Sequence, residues 1–180
     1  MQPIPVAFVA GAEGGWRIER IAPVRGEGLA MAPRLARVEG GQGGAGAIWT
    51  LRGTTSSERY VTRKEREALA AAQPALGRTD STRAALIPVR KSAAWWDLAQ
   101  DERRHILEER SRHISIGLRY LPAVARRLYH SRDLGEPFDF LTWFEYAEAD
   151  AASFEELVGE LRRSPEWEYV EREVDVRLFR

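Results

Sequence analysis

Between Ser111 and Ser131 the chain reads SRHISIGLRYLPAVARRLYHS, with His113 on a helix-like run and Arg126, thirteen positions later, on a strand-like run. A histidine ligates metals or handles protons, and an arginine holds anions through a rigid fork of donors. The spacing fits neither a multi-histidine metal site nor a nucleophile triad. His105 is eight residues from His113 and off its line on a helix, while His130 falls on a strand. The pair is explained either by ordinary packing or by a ligand lying between the two elements.

Apolar spacing supplies those elements. From Ala84 onward, AALIPVR reads as a strand, WWDLAQDERRHILEERSRHISIG as one long helix, and AVARRLYHS and FDFLTWFEY as strands joined by the turn RDLGEP. In DAASFEELVGELRRS, Asp150 is the expected N-cap, Phe154, Leu157, Val158 and Leu161 form one apolar stripe, and Pro165 ends the helix. In EYVEREVDVRLFR, Val170, Val174, Val176 and Leu178 alternate with Glu171, Glu173, Asp175 and Arg177, as in a half-buried antiparallel strand. The order β-α-β-β-α-β is that of a ferredoxin-like unit, a sheet with helices on one face.

The first half is less regular. PVAFVAG and WRIERIAP are expected strands around the turn AEGG, and GEGLAMAPRLARV is expected as a short helix interrupted at Pro33. GGQGGAG lacks the Gly-Lys-Ser/Thr of a phosphate-binding loop and precedes the strand-like AIWTLRG, so it reads as a flexible hairpin loop. Thr62 with Glu65 forms a capping box that starts a helix over VTRKEREALAAA. The chain is expected to be a single domain, residues 1–180. Residues 1–80 would form a degenerate ferredoxin-like half and residues 81–180 a complete one, although no sequence repeat supports the copy.

Strand alternation gives Arg126 one face with Val124 and Leu128, and gives Arg127 and Tyr129 the other. A cation in apolar company is costly unless paired or hydrogen-bonded. On the neighbouring strand the same rule aligns Phe138, Phe140, Thr142, Phe144 and Tyr146. Arg126 therefore either snorkels to a sheet edge or a structural carboxylate, or faces a lined cavity. His113 lies seven residues from Ile106 and four from Gly117, so a flat ligand could approach beside the missing side chain. A satisfied core histidine is the competing reading. Haem, which needs one axial histidine, remains open.

Composition removes other chemistries. The 180 residues carry 27 basic and 27 acidic side chains, leaving no net field for a polyanion or an anionic membrane. There is no cysteine, which excludes disulfides, thiolate catalysis and iron–sulfur clusters. No apolar run has the length of a membrane span, and the start MQPIPVAFVAGAEGG lacks the regions of a signal peptide, so a soluble, cytoplasmic protein is expected. Six tryptophans are available for interfaces or pockets.

The stretches AALIPVRKSAAWWDL, EERSRHISIGLRYLPAVARRLYHSRDLGEPFDFLTWFEY and EWEYVEREVDVRLFR resemble the chlorite dismutase family of haem b proteins, in its shorter, dimeric branch. The likeness is firmest from Val61 to Arg180; WRIERIAPV and LRGTTSSERYVTR extend it into the first half. It implies a homodimeric α+β barrel of two ferredoxin-like halves, with haem b in the second. It also implies conversion of chlorite to chloride and dioxygen, through an oxoferryl species and rebound of a hypochlorite-like fragment. By this resemblance His113 is the axial iron ligand, Glu166 accepts its second ring N–H, and Arg126 is the catalytic distal arginine. Lys91, Trp95 and Trp96 flank the haem edge and propionates, Tyr60 begins the pocket, and Thr142 and Phe144 line the distal side. Read without it, Glu166 is a solvated residue after Pro165. The alternatives are a coprohaem decarboxylase, against which Arg126 and the short chain argue, and a non-catalytic haem-binding protein or weak peroxidase.

Overall fold

A strand that buries one face needs neighbours on both edges, and eight such strands here satisfy one another by closing into a ring. The computed structural model describes residues 3–41, 43–55 and 60–180. In chain order it contains β1 (Pro5–Gly11), β2 (Trp16–Arg25), β3 (Arg34–Glu39), β4 (Trp49–Thr54), α1 (Arg63–Ala72), β5 (Arg83–Lys91), α2 (Ala93–Asp97) and α3 (Gln100–Arg104). A π-helical segment (His105–Arg110), α4 (His113–Arg119), β6 (Ala125–His130), β7 (Phe140–Tyr146), α5 (Ala151–Arg162) and β8 (Val170–Phe179) follow. The strands form a closed antiparallel barrel in the order β1-β3-β2-β8-β5-β7-β6-β4.

Each half contributes its strands in the same spatial order, fourth-first-third-second: β4-β1-β3-β2 and β8-β5-β7-β6. The second half has the expected β-α-β-β-α-β succession, whereas the first carries only α1, after its fourth strand. Inside the ring Phe8, Leu35, Leu51, Leu86, Tyr129, Leu141, Trp143, Val174, Val176 and Leu178 are all buried. Trp143 anchors this interior against Phe8 and Trp16. A second apolar layer lies outside the ring, where Ala85, Ile87, Phe144 and Tyr146 meet Ile116 of α4 and Phe154, Leu157, Val158 and Leu161 of α5. No helix among the described residues is long and apolar enough to cross a membrane.

Four sequence expectations are corrected. GEGLAMAPRLARV is no helix: Gly26 sits at φ +64°, and after Pro33 the chain enters β3, where Leu35 pairs with Ala10 and Trp16 inside the barrel. GGQGGAG does not form a hairpin, because β1 lies between β3 and β4 and pairs with both. Its Gly40, Gly41 and Gly46 take positive φ, and Gln42 lies outside the described residues. The long helix is broken twice. Leu98 and Ala99 are extended, with the Ala99 N–H donated to the Glu102 carboxylate at 2.7 Å. Arg112 is left-handed, and the Glu108 carboxylate accepts from the backbone N–H of Ile114 at 2.6 Å and Ser115 at 3.2 Å. Those carboxylates satisfy the donors that each new helix start exposes. Ile106 and His113 therefore do not share one helix face, while His113 and Gly117 both belong to α4.

The fourth correction concerns β8, which is buried on both sides. Its polar face lies beneath α5, with Glu173, Asp175 and Arg177 at 0%, 2% and 5% exposure. Arg162 of α5 bonds Glu173 at 2.8 Å and Asp175 at 2.9 Å, and Arg177 pairs with Asp175 and Glu155. The capping box of α1 forms as expected, with Thr62 and Glu65 each accepting the other's backbone N–H. Asp150 occupies the N-cap of α5, yet its side chain makes no capping bond.

Candidate functional site

Helix α4 restarts at His113, so the imidazole is carried on its first residue, beside a sharp turn that fixes its direction. The short 3-10 turn Pro165–Tyr169, which follows α5, brings Glu166 to it. His113 Nδ1 lies 2.6 Å from Glu166 Oε2, and Lys91 Nζ donates to Oε1 at 2.7 Å. The Glu166 backbone N–H donates to Ser111 Oγ at 2.8 Å. Glu166 is 3% exposed, and such a charge survives only when compensated. Burial pushes its pKa up, but the charges of His113 and Lys91 and their hydrogen bonds outweigh this and hold it at about 2. An ionised carboxylate can only accept, so Nδ1 carries the proton, and in the neutral ring Nε2 keeps the lone pair. Trp167 stacks on the imidazole with ring centroids 6.5 Å apart.

Arg126 approaches the same helix from the sheet. A Cβ placed on Gly117 would lie 3.7 Å from its Cζ and Nη1, so the guanidinium rests against the bare backbone one turn beyond His113. On β7 the residue opposite Arg126 is Phe144, and Thr142 lies opposite Leu128 and Ile87. Phe144 is buried and packs on Phe154 of α5 at 5.1 Å. The expected aromatic row holds for Phe140, Phe144 and Tyr146. Phe138 departs from it, because it precedes β7 and turns into the barrel interior. Leu128, expected as apolar company for Arg126, is 43% exposed, and the guanidinium rests instead against Gly117 of α4.

A third group surrounds α2. Trp95 is 1% exposed, with Lys91 Nζ 4.5 Å over its ring, Tyr169 edge-on at 5.5 Å and Tyr60 edge-on at 6.3 Å. Its indole Nε1 is buried and has no hydrogen-bond partner among the described residues. Trp96 donates to Asp139 Oδ2 at 3.2 Å, stacks on Phe140, and carries Arg132 4.0 Å above its ring. The Tyr60 hydroxyl accepts from Arg103 Nη1 at 3.1 Å.

His113, Glu166, Lys91 and Trp95 thus form one chain of contacts, with Arg126 against the next turn of α4 and Tyr60 and Trp96 on either side of Trp95. Sequence reasoning missed Ser111, Trp167, Asp139 and Arg103, all of which hold these residues. Glu166 is fifty-three positions from His113, a separation at which no local periodicity links two side chains. Among the described residues no three His, Cys, Asp or Glu side chains converge as a metal site. Two surface clefts of about 370 and 390 Å³ lie away from His113, one beside Arg83 and Arg177 and one beside Arg132 and Asp139.

Comparison with known proteins identifies similar sequences and structures. The family model described as chlorite dismutase matches residues 38–178. A curated chlorite dismutase from Ideonella dechloratans is 39% identical over 84 residues, 47% of this chain, and the match spans only 27% of that protein. The crystal structure of dimeric chlorite dismutases from Nitrobacter winogradskyi is 56% identical, covers 97% of this chain and 99% of that one, and superimposes with a TM-score of 0.91. A chlorite dismutase from Candidatus Nitrospira defluvii in complex with imidazole is 21% identical over 98% of this chain and 91% of its own, with a TM-score of 0.70, a likeness of fold.

Proposed function

The chain belongs to the chlorite dismutase family, and from that premise we propose that it is a haem b enzyme converting chlorite to chloride and dioxygen. The observation that carries the reading is the His113–Glu166–Lys91 chain, its carboxylate and ammonium buried, one helical turn from the Arg126 guanidinium. The donor set fits haem. The group needs one axial imidazole, and His113 offers Nε2 because Nδ1 is committed to Glu166. It also needs donors for its carboxylates, and the buried Trp95 indole N–H, beside Lys91, has no acceptor among the described residues.

When bound, haem supplies the redox-active iron. The chain's own residues do the rest. Glu166 holds the Nδ1 proton, which fixes the ring orientation and makes the imidazole a stronger donor. Lys91 compensates the carboxylate, and Trp95 and Trp96 hold the edge of the group. Both oxygens of chlorite leave in one dioxygen molecule, so the chlorine-containing fragment must stay in place until the O–O bond forms. Arg126 supplies a fixed cation and a planar donor fork for that anion. Phe144 and Thr142 restrict water around it.

The 56% identical relative is described as dimeric, which supports a homodimer here. A cytoplasmic location belongs to the same proposal. The test is oxygen release on an electrode after chlorite addition, with haem content measured spectroscopically in the same sample. Steady release near one dioxygen per chlorite supports the reading, and no oxygen from a fully loaded sample overturns it.

A further inference from the structure

Helix α2 is too short to sustain itself. A helix leaves its last four carbonyls without intrahelical donors, and in the five residues Ala93–Asp97 that includes the carbonyls of Trp95 and Trp96. In a continuous helix the Ala99 N–H would serve Trp95, but it is donated to Glu102 instead. Arg103 takes over. Its Nε donates to the Trp95 carbonyl at 2.9 Å, its Nη2 to the Trp96 carbonyl at 2.5 Å and its Nη1 to the Tyr60 hydroxyl at 3.1 Å. One guanidinium thereby fixes three aromatic residues.

Its neighbour Arg104 holds the other end of Tyr60. Arg104 Nη1 donates to the Tyr60 carbonyl, and the two Nη groups reach the two oxygens of Glu65, each at 2.7 Å. Glu65 in turn accepts from the Thr62 backbone in the capping box of α1. Tyr60 has φ +63°, a left-handed conformation that L side chains adopt only when their surroundings impose it. Held by both carbonyl and hydroxyl, it stands edge-on to Trp95, whose buried Nε1 has no acceptor among the described residues. The clamp joins α1, which belongs to the first half, to α3 in the second.

We propose that Arg103, Arg104 and Glu65 are positioning residues for the haem edge, holding Tyr60, Trp95 and Trp96 in the arrangement that receives the cofactor's carboxylates and so setting how tightly haem is kept. The inference rests on the haem reading above. Lysine cannot replace either arginine, because a single ammonium does not span donors to three acceptors in a fixed fork. Glu65→Gln is the cleanest variant. Glutamine still accepts at the third position of a capping box, so the helix start survives while the ion pair is lost.

The experiment is transfer of haem from the reconstituted protein to excess apomyoglobin, followed at the Soret band, for wild type, Arg103→Lys, Arg104→Lys, Glu65→Gln and the Arg104→Lys/Glu65→Gln double variant. Thermal unfolding of each apo-protein is recorded alongside. Haem loss is expected to be about 10-fold faster or more in Arg103→Lys, the scale on which outer residues affect metal-site affinity. Arg104→Lys and Glu65→Gln should each accelerate it, and the double variant should be no faster than the faster single one, since both break one pair. The apo unfolding midpoint of Glu65→Gln should fall only by the loss of the partly exposed Glu65–Arg104 pair, and haem loss should not track the midpoint across the series. Wild-type haem retention in every variant overturns the positioning role and leaves the haem reading intact. Acceleration that merely follows a lowered apo midpoint across the series also overturns it, in favour of a purely structural clamp. A wild-type protein that takes up no stoichiometric haem overturns the haem reading itself.

Discussion

Arg126 and Glu166 bring opposite charges to one short helix a turn apart, Arg126 at Gly117 and Glu166 at His113. Glu166 is fully committed, with one oxygen on His113 and the other on Lys91. Replacing it with glutamine keeps an acceptor for the Nδ1 proton but removes the negative charge, so under the proposed function iron bound at His113 would lose stabilisation of its ferric state. The midpoint potential of the haem-loaded Glu166→Gln protein should therefore rise, as a spectroelectrochemical titration would read directly. Arg126 rests against Gly117 of α4 and stands opposite Phe144 in the strand register. Truncation to alanine removes a preorganised donor for an anion, an effect worth about 10²–10³ in turnover at comparable sites. Oxygen-electrode rates for Arg126→Ala should fall on that scale with haem content unchanged, and Arg126→Lys should lie between because its charge is mobile. Equal rates in all three proteins would remove Arg126 from the mechanism.

At the scale of elements, β8 and α5 show why polarity is a poor guide to exposure. Glu173 is wholly buried and bonded both to Arg162 and to the Trp167 indole at 2.7 Å, so the face that alternation assigns to water is an ionic layer. Removing one partner from such a layer leaves a buried charge uncompensated, which costs about 3–5 kcal/mol. Urea unfolding of Arg162→Ala should show a loss of that size, and a loss under 1 kcal/mol would mean that water reaches Glu173. The strand itself was legible because a period of two survives whether the polar side meets solvent or arginines. So were the α5 stripe, the Thr62–Glu65 capping box and the β-α-β-β-α-β succession of the second half. The breaks that make α4 a separate helix beginning at His113 were not legible. Glu102 and Glu108 sit in a run whose residues all suit a helix, and they act as caps only because the chain turns away. Glu65 lends itself to a pH test. Its hydrogen bonds to Arg104, with smaller help from Thr62 and against the cost of burial, lower its pKa from 4.5 to about 2. A carboxylate depressed in the folded state contributes stability above its unfolded pKa and loses it as pH falls through the folded value. The difference in unfolding midpoint between wild type and Glu65→Gln should therefore be full above pH 4.5 and should vanish as the pH falls to about 2.

The whole molecule is a ring with two unlike seams between its halves. At one, β2 and β8 pair from Arg17 with Phe179 to Arg25 with Glu173. At the other, among the described residues, β4 and β6 share only the pair Thr54–His130. Strand pairing is cooperative along its length, so the short seam is where the barrel opens first. Gly53 sits in that seam. A Cβ added there would lie 2.8 Å from Tyr129 Cβ and 3.0 Å from Ser131 Oγ, and the first of these is too close to the backbone to be relieved by a rotamer change. Tyr129 belongs to the interior cluster with Phe8 and Trp143, so pushing it inward strains the core and pushing it outward parts β4 from β6. Overpacking of this kind costs about 1–3 kcal/mol. Gly53→Ala should lose that much stability, and its amide hydrogen exchange should quicken in β4 and β6 while β2 and β8 keep their wild-type protection. Uniform acceleration around the whole ring would show instead that the two seams open together. Because Arg126 stands on β6, the same variant should also lower chlorite turnover more than it lowers haem content, the signature of a displaced guanidinium beside an intact His113–Glu166 pair.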